Sequence, residues 1–322
     1  MLNVQRLRVL REVATRGSFS AAADALSYTQ SAVSQAVATL EAETGAKLIE
    51  RDRKGVRPTA AGATLVAHAD AILARMDAAE AELAAILGVR GGRLRMASFP
   101  TAGNTLMPLA IAGFRRDHPE VELSLAEGEP EEIAPRLRAG EFDLALVFEF
   151  RDVGDRLGPG LRTVELLIDP MHVALPAGHP LAHKATLRLE DLRDEAWVQT
   201  SESSACARHV VRLCHAAGFE PTVSFESDDY QTVQGLVAAG VGVALIPELA
   251  LTSMRDDVVV RALSPRAPMR RVLAATPRGA GVSPAAGVML GLLQDVAGRY
   301  AGSRVTGHGS RESLPTSETR DP

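Results

Sequence analysis

Two groups of side chains in this 322-residue chain have the types and spacing to do chemistry. The first is Thr29, Gln30, Ser31, Ser34 and Gln35, followed by Arg51, Arg53, Lys54 and Arg57. Amides and hydroxyls at helical spacing suit base edges in a major groove, and the cations suit phosphates or a minor groove. The second lies in the C-terminal two-thirds: Ser98, Phe99, Thr101 and Glu149, then Thr200, Ser201, Glu202, Ser203, Asp228 and Ile246. These residues sit where apolar, strand-like stretches end, and the hydroxyls and free backbone N–H groups there suit a carboxylate. The acidic members, together with Asp229, suit a cationic or polyhydroxylated molecule instead. The sequence leaves the sign of the ligand open, and at every Ser and Thr helix capping competes with ligand contact.

Little else is reactive. The chain has no G-x-S-x-G elbow, P-loop or H-E-x-x-H, and Gly240-Val241-Gly242 lacks the third glycine of a dinucleotide fingerprint. No enzyme, cofactor or metal is expected. Cys206 and Cys214 stand eight apart on one expected helix, about 12 Å, too far for a disulfide. They read as small buried side chains. His172, His179 and His183 fall on a strand end and a loop broken by Pro176 and Pro180, which is a poor frame for a metal. Two cysteines in the whole chain point to a reducing cytoplasm. No apolar run approaches the roughly 20 residues that span a bilayer, and the N-terminus has no signal-peptide pattern.

The charge is uneven. The chain has 35 basic and 40 acidic residues, net −5, yet residues 1–60 hold nine basic and six acidic, net +3. A basic module on an acidic protein confines contact with a polyanion to that module.

The elements that position the first group follow from periodicity. Asn3 caps a helix whose stripe is Val4, Leu7, Leu10, Val13 and Ala14, and Gly17 ends it. Ala21–Leu26 predicts a short second helix, broken at Ser27-Tyr28. Thr29 caps a third, from Gln30 to Thr44, with Ala32, Val33, Ala36, Val37 and Leu40 inward and Gln30, Ser31, Ser34, Gln35 and Ala38 outward. That is a helix-turn-helix. Residues 48–59 then read as a hairpin with a basic tip, a wing. From Thr59 to about Leu87, the residues Leu65, Ala69, Ile72, Met76, Ala79, Leu83 and Ile86 recur at gaps of four and three. This a/d seam predicts a helix on the order of 40 Å long that pairs with a second copy. The glycine-rich residues 88–92 predict a hinge.

Beyond the hinge, strands at Leu94, Val121 and Asp143 alternate with helices over Thr105–Arg116 and Glu131–Ala139. A second set holds strands at Met171, Trp197, Val223 and Val243 and helices over Ser204–Ala217 and Tyr230–Ala239. A further strand at Arg271 precedes a last helix, Ser283–Tyr300, which can return to the first lobe. The pattern predicts two α/β lobes with a cleft between them. Residues 301–322 read as a disordered tail.

Phe19-Ser20-Ala21-Ala22-Ala23, then Thr29-Gln30-Ser31-Ala32-Val33-Ser34-Gln35, then Leu40-Glu41, resembles the N-terminal signature of the LysR-type transcriptional regulators. Leu48-Ile49-Glu50-Arg51 and Pro58-Thr59-Ala60-Ala61-Gly62 resemble that family's wing and helix entry, with Ile49 where Phe is frequent. The match is close over the first ninety residues and one of organisation beyond. The resemblance implies an α/β protein in four parts. These are a winged helix-turn-helix over residues 1–58, a linker and dimerisation helix over 59–88, a two-lobed periplasmic-binding-protein-like effector domain over 89–300, and the tail over 301–322. It implies a cytoplasmic homodimer or homotetramer that binds operator DNA, with a small-molecule effector in the cleft and RNA polymerase as a further partner. A ligand-binding protein with a vestigial N-terminal module is the competing reading. It needs neither the basic wing nor the heptad seam.

Overall fold

A computed structural model describes residues 2–52, 55–86, 92–150, 157–265, 267–278 and 282–307. The N-terminal part is three helices and a hairpin. Helix α1 (Val4–Arg16) starts at Asn3, whose side chain accepts from the backbone N–H of Gln5 at 2.9 Å, and it ends on Gly17 at φ 60°. Helix α2 (Phe19–Leu26) begins two residues earlier than the alanine run suggests, because Ser18 caps it through the Ala21 N–H. Ser27 takes φ 56° and ends it. Helix α3 (Gln30–Thr44) runs as the sequence predicts, from the Thr29 cap to Gly45. Its buried stripe is Val33, Val37 and Leu40, whereas Ala32, expected inward, is exposed. These side chains close a small core with Leu7, Leu10, Val13, Phe19 and Ala22.

Strands β1 (Ile49–Asp52) and β2 (Gly55–Pro58) pair antiparallel as the wing. Glu41 anchors its entry by accepting from the backbone N–H of Leu48 at 2.9 Å and of Ile49 at 3.3 Å, and from Lys47 Nζ at 3.0 Å. Burial works to raise this carboxyl, but these bonds outweigh it and hold the group below its usual range. Helix α4 (Ala60–Ile86) starts at Thr59, whose hydroxyl accepts from the Gly62 N–H and donates to the Lys47 carbonyl at 2.6 Å. Its first turns pack on the N-terminal core through Leu65, Val66 and Ala69. Ile72 and Met76 are 39% and 42% exposed, so the seam is open in a single chain.

The C-terminal part begins with β3 (Gly92–Ser98), α5 (Pro100–Asp117), β4 (Val121–Glu127), α6 (Pro130–Arg138) and β5 (Leu144–Phe150). β3 pairs parallel with both β4 and β5. Helix α5 starts five residues before the expected point because Pro100, with φ preset and no N–H to lose, fits the first helical position. Strand β6 (Leu161–Pro176) is sixteen residues long and serves both lobes. Its first half pairs with β12 (Met269–Pro277), which also pairs with β5. Its second half pairs with β10 (Ala244–Pro247) and β11 (Val258–Leu263), and β11 meets the two-residue β7 (Thr186–Leu187). Strand β8 (Ala196–Gln199) pairs parallel with β9 (Thr222–Glu226) and reaches Val243 beside β10. Helices α7 (Ala205–Ala216) and α8 (Tyr230–Ala238) cover this second lobe. The ladder of β12 on β6 shifts register between Val272 and Leu273.

The last helix, α9 (Pro284–Gly307), returns to the first lobe, where Leu292 comes against Gly113 of α5. It covers residues 301–307, which the tail reading had assigned to disorder. Residues 308–322, the tip residues Arg53 and Lys54, and hinge positions 88–91 lie outside the described residues, as does the side chain of Arg51. Among the described residues, no helix is long and apolar enough to cross a membrane.

Candidate functional site

The N-terminal site is one helix face and a wing. Gln30, Ser31, Gln35 and Ala38 are exposed on α3, and Ser34 is half-buried between them and the core. Thr29 is occupied as the cap, accepting from the Ala32 N–H at 3.2 Å, and its hydroxyl lies 3.0 Å from that of Ser31. Arg57 is exposed on β2 and makes no ion pair among the described residues. Arg6, Arg11 and Arg16, in contrast, are tied to Glu43, Asp70 and Glu12. The arrangement presents amides and hydroxyls at the start of a helix and an unneutralised cation on the adjoining hairpin. It is fit to read base edges and hold phosphates.

The second site is built around one ion pair. Arg270 and Asp169 face each other across the β12–β6 ladder, with side chains 1% and 0% exposed and Nε to Oδ2 at 2.9 Å. Asp169 also accepts from the Leu249 N–H at 3.1 Å, and Arg270 donates to the Thr101 hydroxyl at 2.5 Å. The guanidinium stacks over Phe99 and Phe148, 4.9 and 4.6 Å from the ring centroids. Burial alone would pull its proton affinity down; Asp169 reverses that, and Arg270 stays charged. The pair thus grips α5 of the first lobe and the turn after β10 of the second.

Around it stand groups from both lobes. Glu129, the cap position of α6, makes no side-chain hydrogen bond among the described residues. Burial pushes its carboxyl up to about 7. Arg270 opposes the rise, while Glu131, Asp228 and Glu132 add to it. Across the gap, Val198, Gln199, Thr200, Cys206, Val210, Tyr230, Val233 and Leu245 wall a cleft with about 220 Å³ of atom-free space, its open mouth included. The Gln199 side-chain oxygen is buried with no hydrogen-bond partner among the described residues. The Tyr230 hydroxyl has no nitrogen or oxygen partner and lies against the Cys206 thiol. Burial pushes the thiols of Cys206 and Cys214 up to about 11 and 12, so both stay protonated at neutral pH and are weak nucleophiles. Both are free.

The positions singled out in the sequence divide. Ser98, Phe99 and Thr101 are buried; Phe99 and Thr101 lie against Arg270, with Thr101 inside the first turn of α5, while the Ser98 hydroxyl donates to the Phe99 carbonyl. The Thr200 hydroxyl lies 2.5 Å from that of Ser204, and Ser201 donates from its N–H and hydroxyl to Asp228 at 2.9 and 3.0 Å. The Ser203 carbonyl accepts from Arg208, which also bridges the lobes to Glu131. Glu202 is exposed, with no partner that brings it to the group. Two positions fall elsewhere. Glu149 lies inside β5, not after it, and alternation sends it to the face opposite Phe148, where it pairs with Arg271. Ile246 is fully buried in the core with Val198 and Val233, and its neighbour Leu245 faces the cleft instead.

Among the described residues, no three His, Cys, Asp or Glu side chains are grouped to hold a metal. His172 and His179 stand near Glu248 and Glu195, each at 3.3 Å. The sequence reading missed Arg270, Asp169, Glu129, Gln199 and Tyr230. An Arg and an Asp inside the apolar runs around 169 and 270 were the visible sign.

Comparison with known proteins gives the same two parts. Residues 4–63 match the family described as bacterial regulatory helix-turn-helix protein, lysR family, and residues 88–298 match LysR substrate binding domain. The probable HTH-type transcriptional regulator LrrA of Synechococcus elongatus is 33% identical over 85% of this chain and 90% of its own length. The transcriptional dual regulator GltC of Bacillus subtilis is 31% identical over 77% of this chain and 81% of its own. A full-length OxyR variant from Pseudomonas aeruginosa superposes with a TM-score of 0.71 at 24% identity, covering 92% of this chain and 95% of that one. CbnR complexed with its target DNA gives 0.64 at 22%, covering 92% and 100%. The chain is a transcriptional regulator of the LysR family, with its helix-turn-helix at the N-terminus and its effector-binding domain after α4.

Proposed function

We propose that this regulator reads its operator with the exposed face of α3 and the wing, pairs with a second copy along α4, and senses its effector between the lobes at the Arg270–Asp169 centre. Gln30, Ser31, Ser34 and Gln35 take the base edges, Thr29 fixes the helix start, and Arg51, Arg53, Lys54 and Arg57 take phosphates. Ser98, Thr101, Thr200, Ser201, Ser203 and Asp228 form the rim that an effector meets. The open row Ile72, Met76 and Ala79 is the seam along which a homodimer or homotetramer assembles. A protein that works on the chromosome of a bacterium works in the cytoplasm.

One observation carries the effector reading. Thr101 and Glu129 of one lobe and Cys206 and Tyr230 of the other all face a single buried cation on β12, held by Asp169 of β6, the strand that serves both lobes. A molecule held there contacts both lobes at once, and its differential affinity for two lobe geometries shifts their balance. The relative solved on its target DNA supports the operator half.

The test is fluorescence anisotropy on DNA upstream of the protein's own gene, across a salt series and against a scrambled duplex. Ser34→Ala with Gln35→Ala should cost about 1–3 kcal/mol on the operator and little on the scramble. Arg57→Ala should weaken both duplexes and lower the salt slope by about one. Equal affinity of the wild-type protein for operator and scramble refutes the reading.

A further inference from the structure

The cations at the cleft are already spoken for. Arg270 is neutralised by Asp169 and Arg208 by Glu131. Of the residues that wall the cleft, those with an unpartnered buried atom, Gln199 and Tyr230, offer oxygens that accept hydrogens, and the carboxylate set nearest them carries negative charge. Among the described residues the Glu129 carboxylate makes no hydrogen bond, and the buried Gln199 oxygen and the Tyr230 hydroxyl lack nitrogen or oxygen partners. The remaining carboxylates facing Glu129 are Glu131, Glu132 and Asp228. Gln199 and Tyr230 are 8% and 9% exposed, and both line the cleft. A buried acceptor left unpaired costs free energy until a donor arrives. The remaining wall, Val198, Cys206, Val210, Val233 and Leu245, is apolar, and the enclosed space of about 10 Å³ holds one group the size of a water, which suits an ammonium head with its short chain toward the open mouth.

From these groups we infer that the cleft binds a small alkylammonium ligand, with the Glu129 carboxylate as its counter-ion and the Gln199 oxygen and Tyr230 hydroxyl as acceptors of its hydrogens. The inference rests on the reading of this cleft as the effector site. A carboxylate ligand meets the opposite situation: its charge faces Glu129 and Asp228, and the cations Arg270 and Arg208 are each already paired with a carboxylate. Glu129 also gives the site a pH signature. With its carboxyl titrating at about 7, about a tenth of the molecules are ionised at pH 6 and nine-tenths at pH 8. An alkyl amine stays protonated across that range.

The experiment is calorimetric titration of the full-length protein with three matched probes: n-butylamine, butyrate and n-butanol. Butylamine should bind with a dissociation constant on the order of 1–10 mM, and butyrate should not bind. Its affinity should rise about tenfold from pH 6 to pH 8 and fall at least about tenfold in Glu129→Gln at pH 8. Thermal unfolding checks that the variant is folded; removal of a buried charge should leave it no less stable. The arms 1,4-diaminobutane and 4-aminobutyrate separate a diamine from an amino acid as the source of the ammonium group. Binding of butyrate in place of the amine, binding of neither, or an amine affinity unchanged in Glu129→Gln overturns the inference. Butylamine that binds as expected yet leaves the affinity for the operator duplex unmoved keeps the ligand class and refutes the effector reading.

Discussion

Removing Asp169 puts the centre of the effector domain to its hardest test. Asp169→Ala leaves the Arg270 guanidinium 1% exposed and without its paired carboxylate, among the Thr101 hydroxyl, Phe99, Phe148, Cys206 and Tyr230, with the half-ionised Glu129 as the nearest remaining acid that the structure sets against it. The Leu249 N–H loses its acceptor as well. Breaking a buried pair from one side costs about 3–5 kcal/mol, because the charge that remains is not returned to water. With a urea dependence of about 2–3 kcal/mol per molar, the unfolding midpoint should fall by roughly 1–2.5 M. The readout is already in place. Trp197 is the chain's single tryptophan, and it is fully buried in the second lobe. Its fluorescence follows this domain and not the N-terminal one. Protein concentration must be fixed, since assembly adds to apparent stability. Asp169→Leu combined with Arg270→Met should regain most of the loss, because an apolar pair leaves no charge behind. A single variant within about 0.3 M of wild type would show that water reaches the pair. A double variant less stable than the single one would show that the charge itself holds the lobes.

Asp70 gives a pH test of the joint between α1 and α4. Burial pushes its carboxyl up to about 6 despite Arg11, and Glu141 of the effector domain adds to the rise. The folded state therefore holds the proton more tightly than the unfolded one, and stability falls as pH climbs from about 4 through 6. Asp70→Asn should raise the melting temperature at pH 8 and not at pH 4; an equal effect at both would refute the assignment. A Cβ on Gly62 would press into the backbone carbonyl of Leu48, so Gly62→Ala should abolish operator binding while the Trp197 unfolding curve stays in place. Ile72→Glu with Met76→Glu charges the open seam of α4, and sedimentation should show loss of the dimer with both folded domains intact.

Local chemistry announced itself in the sequence; long-range pairing did not. Asn3, Thr29 and Thr59 sit as caps where their types place them, since capping depends on three neighbouring residues. The recognition face was legible for the same reason. Ala32 was not, because alanine carries too little apolar surface to fix which way a helix turns. In the effector domain, the strands buried on both sides stood out as apolar runs, and the cleft between two lobes followed from their order. The first half of β6, with Arg162, Glu165 and Asp169 among its apolar residues, did not read as a strand. Without it the Arg270–Asp169 pair, 101 residues apart in sequence, had no geometry. The sequence places Glu149 and Ile246 by the ends of apolar runs, which are not the ends of the strands. A shift of one residue along a strand reverses the face a side chain takes.

Strand β6 also limits how an effector can act. A single strand built into both halves of the domain is a common spine, and its ladders with β12, β10 and β11 resist stretching. The halves cannot drift apart as tethered bodies do. A β-ribbon yields instead by twisting and bending, most readily where its register slips, as it does here between Val272 and Leu273. Movement of one half against the other is therefore a torsion about one axis, and a bound molecule has a single mechanical coordinate to set. At the rim of each half, far from that axis, the same small twist becomes a displacement large enough for a neighbouring subunit to feel.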